Sequence, residues 1–117
     1  SALKNFDMIK VNNSKKHLIL GDMLELGKYS KKLHKEIGKS INKTSLKNVN
    51  VIGQHVKWTF NNINKSRKGI ILKKQSQIID LIKNNLDNND YLMIKGSNST
   101  GLNMLANQIK IGKINAL

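Results

Sequence analysis

Apolar residues follow two different spacings along this chain. Short apolar runs at 17–20, 49–52, 69–72 and 91–94 are each closed by a glycine or a polar segment, and they read as buried strands. Between the runs, apolar positions recur every three or four residues, the spacing of one helix face. Leu3, Phe6 and Ile9 predict a helix over residues 2–12, ended by a turn at Asn12-Asn13-Ser14. Ser30 is suited to an N-cap, and Leu33, Ile37 and Ile41 then form one stripe of a helix over about 31–43. Val56, Phe60 and Ile63 predict a short helix over 54–62, with Trp58 on its flank. Ser76 opens a fourth helix in which Ile78, Ile79, Ile82 and Leu86 face inward. Leu102, Leu105, Ala106 and Ile109 predict a last helix, to about residue 110.

Strand and helix therefore alternate, and proline is absent. That pattern predicts an α/β fold: a Rossmann-like, doubly wound, mainly parallel sheet with helices on both faces, in three layers. Neither a repeat nor a linker composition interrupts it. Residues 1–117 are expected to form a single domain.

In such a sheet, ligands bind where loops leave the carboxyl ends of the strands. Two of these exit segments are polar and rich in glycine: Gly21 to Gly27 (GDMLELG) and Lys95 to Gly101 (KGSNSTG). The first and fourth strands are often neighbours across the point where strand order reverses, so one site built from both segments is expected. In the second segment, Lys95, Ser97 and Asn98 precede a predicted helix, whose free N–H groups favour a carboxylate or phosphate. The same hydroxyls also suit a simple helix cap in a solvated turn. In the first segment, Asp22 and Glu25 could hold an ammonium group or orient another side chain; Asp22 could equally bond nearby backbone amides. His34 falls one turn into the second helix, beside the apolar stripe, and has no partner at metal-ligand spacing. His17 and His55 stand isolated in the sequence and receive no role. No P-loop (GxxxxGK followed by Ser or Thr) is present, and no GxGxxG follows the first strand.

Composition changes this picture in only a few respects. The chain has no cysteine, which excludes disulfides, thiolate metal sites and a cysteine nucleophile. No apolar run reaches the roughly 18 residues of a membrane helix, and no secretion signal is visible, so a cytoplasmic protein without a membrane partner is expected. The formal net charge of +14 raises nucleic acid as a partner. Against it, lysine is spread over the whole chain and enriched together with Asn and Ile, which share A/T-rich codons, and the few aromatics are far apart. A basic domain can still draw anionic substrates by its field.

The segment LILGDMLELGKYSKKLHKEIG, residues 18–38, resembles the start of the C-terminal domain of the MurF family within the Mur ligases, through Gly21, Asp22, Met23, Glu25, Leu26, Gly27, Ser30, Leu33, His34 and Gly38. DYLMIKGSNSTGLN, residues 90–103, is similar to the family's aspartate-led strand ending in Lys-Gly-Ser, and Val49 to Gly53 is similar to its middle strand. The chain departs from the family at Asn98, where Arg is common, and at Asn103, where Glu is common. The resemblance implies an ATP- and Mg²⁺-dependent ligase that joins D-Ala-D-Ala to UDP-MurNAc-tripeptide through an acyl phosphate. ATP and Mg²⁺ would belong mainly to a central domain and the UDP-sugar to an N-terminal domain, both absent from this chain and both its expected partners. By itself the chain is expected to be inactive and to need no cofactor. It would supply the dipeptide-side wall of the cleft, with Asp22, Glu25, His34, Lys95, Ser97 and Asn98 as substrate-side residues. A relative in the same superfamily that adds a different amino acid is the alternative, and a basic nucleic-acid-binding module is a third reading.

Overall fold

The computed structural model describes residues 2–9, 15–24, 26–87, 89–96 and 115–116. Among them, the elements run in the order α1 (Ala2–Met8), β1 (Lys16–Gly21), α2 (Ser30–Ile41), β2 (Val49–Ile52), α3 (Val56–Asn61), β3 (Lys68–Leu72), α4 (Gln75–Asn85), β4 (Tyr91–Lys95) and β5 (Asn115–Ala116). The strands form one sheet in the order β3-β2-β1-β4-β5, and every neighbouring pair is parallel. This is the mainly parallel α/β architecture that the alternating pattern predicts. From β1 to β3 the sheet grows in one direction. The chain then returns to lay β4 on the other side of β1, so strand order reverses between β1 and β4.

The faces of the sheet follow from the two-residue period of a strand. Leu18, Leu20, Val49, Val51 and Met93 point to one face and pack with Phe6 of α1, Ile41 of α2, and Val56 and Phe60 of α3. Ile19, Ile52, Leu72 and Leu92 point to the other face and pack with Ile78 and Leu81 of α4. Burial on both faces is why β1, β2 and β4 read as continuous apolar runs; the edge strand β3 is exposed except at Leu72. Asn50 is a polar exception at 2% exposure. Its amide donates to the carbonyl oxygens of Leu18 and Asn48, and its Oδ1 accepts the N–H of Ile70, where the pairing of β2 with β3 slips.

Several expectations need correction. The most buried positions of α2 are Ser30, His34, Gly38 and Ile41, while Leu33 and Ile37 are only half-buried. Hydrophobicity alone places Ile41 correctly but misses by one position at 33 and 37, because α2 packs closely on α3 through a glycine and satisfied polar groups. Ser30 is the first residue of α2 and not its cap; a 3₁₀ turn at Gly27–Tyr29 runs straight into it. Likewise Ser76 lies inside α4, where Gln77 Oε1 accepts the N–H groups of Lys73 and Lys74. Ile79 is 39% exposed and Leu81 is buried in its place, because 78, 81 and 82 share a helix face and 79 does not. The first helix ends at Met8 and the third spans only 56–61. The turn predicted at 12–14 and the helix predicted over 102–110 lie outside the described residues. β5, which pairs Asn115 with Tyr91, was not anticipated.

Candidate functional site at the carboxyl ends of β1 and β4

β1 and β4 pair with Leu20 opposite Lys95. The described starts of the two segments singled out by sequence, Gly21 and Lys95-Gly96, therefore lie side by side at the reversal of strand order. A cleft of about 290 Å³ opens there. Its floor is Leu20 and Gly21 of β1 with Lys95 and Gly96 at the end of β4, and its walls are Leu3, Met23, His34, Ile37, Val56 and Thr59. The lining is mostly apolar, with one exposed ammonium at its edge from Lys95. Concave apolar sites with few polar groups are the usual form of a small-ligand site. A groove of about 690 Å³ between α1 and α2 shares Leu3, Met23 and Ile37 with this cleft.

Of the six candidate residues, Asp22, His34 and Lys95 are described; Glu25, Ser97 and Asn98 lie outside the described residues. The structure brings His34 and Lys95 to the same cleft. Asp22 is placed differently. Its carboxylate is buried, at 9% exposure, and accepts the N–H of Gln54 at 3.1 Å and the N–H of Val56 at 2.7 Å. It thereby satisfies the start of α3 from a different element, where the N-cap residue His55 offers no side-chain bond. Gly53 makes room for this contact. Its φ of +130° is open to glycine, and a Cβ there would sit 2.5 Å from Asp22 Oδ1. Of the two roles open to Asp22 from sequence, the geometry matches the bond to backbone amides.

His34 is almost fully enclosed, at 1% exposure. Nε2 accepts the N–H of Met23 at 3.1 Å, and Nδ1 lies 2.7 Å from the carbonyl oxygen of Ser30. An amide can only donate and a carbonyl can only accept, so these partners select the neutral imidazole with its proton on Nδ1. Both nitrogens are occupied by backbone, and neither is left for a ligand. Thr59 Oγ1 donates to the His34 carbonyl at 2.6 Å and fixes the residue from α3.

Sequence reasoning missed the surroundings of this ring. His55 is not isolated: its Nδ1 lies 3.1 Å from Ser30 Oγ, its ring stacks on Trp58 at 5.4 Å between centroids, and it meets the His34 ring edge-on at 5.9 Å. His17 is not isolated either, because it pairs with Asp90 at 3.1 Å in the buried base of β1 and β4. Separations of 25 and 73 residues hide both contacts from any local pattern.

Among the described residues, no group of three His, Cys, Asp or Glu side chains could hold a metal ion, and no helix is long and apolar enough to cross a membrane. No protein-family model matches the chain, and no solved structure matches it significantly.

Proposed function

We propose that this chain is the C-terminal domain of a MurF-like ligase and forms the dipeptide-side wall of its cleft. The observation that carries the reading is the pairing of Leu20 with Lys95. It sets Gly21 and Lys95, where the two family-like strands end, side by side at the reversal of strand order, beside the apolar cleft. In this reading the substrate's small methyl groups lie against Leu20, Met23, Ile37 and Val56, which keep water from the reacting end. The Lys95 ammonium draws the dipeptide carboxylate, or the phosphate being released, to the rim of the cleft.

ATP, with Mg²⁺, supplies the phosphoryl group that activates the acceptor carboxylate. As the family resemblance implies, both belong in this reading to the central domain of the complete enzyme, and no step here passes through them. What this domain contributes is position: it holds the amine of the dipeptide near the activated carbon and closes over it.

The test is Lys95→Ala in the complete ligase. A charge-assisted bond of about 1.5–3 kcal/mol predicts a loss of roughly ten- to a hundredfold in kcat/KM for D-Ala-D-Ala. Lys95→Arg should retain most of it. Unchanged kinetics in Lys95→Ala would place the dipeptide elsewhere. Running the assay with single amino acids in place of the dipeptide separates this enzyme from its superfamily relatives.

One observation favours a second reading. Lys28, Lys31, Lys32, Lys35 and Lys39 line a single shallow groove along the outer side of α2, with Glu36 the only acid among its described lining residues. Tyr29 beside it is 56% exposed, with Lys28 Nζ 5.3 Å from the centre of its ring. Such a surface fits the phosphates of a nucleic acid.

A further inference from the structure

Asp22 and Met23 are consecutive, yet each is tied to a different helix. The Asp22 carboxylate reaches the start of α3, while the Met23 amide is held by the His34 ring from α2. The loop leaving β1 is thus fixed at its first two residues: the Asp22 carboxylate accepts from the start of α3, and the Met23 N–H donates to α2. Met23 and His34 both line the cleft, so the ring that anchors the loop also forms part of the wall that the loop completes. With Nδ1 held by the Ser30 carbonyl at 2.7 Å and the His34 backbone held by Thr59, the acceptor lone pair on Nε2 has one orientation.

We propose that His34 is a positioning residue. Its neutral imidazole fixes the Met23 amide and so sets the loop after β1 as one wall of the cleft, while making no hydrogen bond of its own to the substrate. The substrate named in the test rests on the ligase reading above; the anchoring of the loop does not.

Two amide side chains each copy one half of the ring. His34→Gln places a carbonyl oxygen near the position of Nε2 and can accept from Met23. His34→Asn keeps a donor near Nδ1 for the Ser30 carbonyl but has nothing to offer Met23. His34→Leu fills the volume and offers neither. The first readout is amide hydrogen exchange at Met23 in this chain, with Leu18 and Leu92 of the central strands as controls. The second is dipeptide KM and kcat in the complete ligase. We expect Asn and Leu to lose about tenfold of the protection at Met23 while the controls hold, and Gln to keep it. KM should rise in Asn and Leu and be rescued in Gln, with kcat little changed.

Protection at Met23 that survives in Asn and Leu overturns the proposal. So does a loss of protection shared equally by Leu18 and Leu92, since the ring would then be only core packing. Gln with native protection but the kinetics of Asn overturns it as well, because the ring would then act on the substrate directly. If the unmutated enzyme does not use the dipeptide at all, the ligase reading fails, and the exchange data still decide the anchoring.

Discussion

Asp90 shows how one carboxylate can tie the base of a parallel sheet. Its two oxygens accept the N–H groups of Lys15 and Asp87, each at 3.0 Å, and face His17 Nε2 at 3.1 Å. Burial is the largest influence on this carboxyl and raises its pKa. The amides of Lys15 and Asp87 together with the bond to and charge of His17 outweigh it, and the net shift is downward from the ordinary aspartate value. A carboxyl whose pKa is lower in the folded than in the unfolded chain stabilises the fold above its unfolded pKa. That stability is lost as pH falls through the folded pKa. Asp90→Ala should therefore cost about 1–3 kcal/mol at neutral pH, because it strands buried donors. The difference from the native chain should shrink on acidification. Urea unfolding of both proteins across the acid range measures it, and a gap that stays constant with pH would show that packing and not charge is at work. At this scale sequence was least informative. The acids in GDMLELG stand out as candidates, yet Asp22 is spent on Gln54 and Val56, and nothing near His17 or His55 in the chain announces Asp90 or Ser30.

α2 and α3 meet at Gly38. A Cβ there would come within 2.6 Å of the Thr59 carbonyl oxygen and 2.9 Å of Asn62 Cβ. A backbone carbonyl cannot swing aside as a flexible side chain can. Asn62 is also committed: its amide donates to the Trp58 carbonyl, and its own carbonyl accepts from Asn42. Gly38→Ala raises helix propensity by about 1 kcal/mol, but overpacking at such a contact costs about 1–3 kcal/mol. The net expectation is a lower urea midpoint with an unchanged slope. A more stable variant would mean that the two helices separate freely. The same contact explains which elements were legible. Strands buried on both faces show plainly as apolar runs, and their bounds shift by only a residue or two. The phase of α2 does not show plainly, because Ser30, His34 and Gly38 are buried beside Ile41, and hydrophobic periodicity does not pick out these three. The position of the cleft was legible from strand order and exit loops; its apolar walls, drawn from α1, α2 and α3, were not.

For the whole molecule, the governing quantity is a formal net charge of +14 on 117 residues. Charge of one sign repels itself and destabilises the compact state, and salt screens it over about 8–10 Å near physiological ionic strength. The chain should therefore gain stability as monovalent salt rises from low concentration. The same charge also decides between the two functional readings. Any domain this basic attracts polyanions in dilute buffer, so binding at low salt carries no information. If the lysine groove on α2 were a dedicated nucleic-acid surface, about five phosphate contacts would give a log–log salt slope near −3.5 for a single strand. Binding would saturate at a fixed ratio and persist near physiological salt. It would also be lost in a triple variant, Lys31→Gln, Lys35→Gln and Lys39→Gln. The ligase reading expects diffuse binding that disappears at that salt and is weakened about equally by removing any three exposed lysines. Titration of a fluorescent oligonucleotide at two salt concentrations, against the α2 variant and a variant altered at Lys73, Lys74 and Lys83, separates them. Saturable, α2-dependent binding at physiological salt would move the function of this domain from the β1–β4 cleft to the outer face of α2.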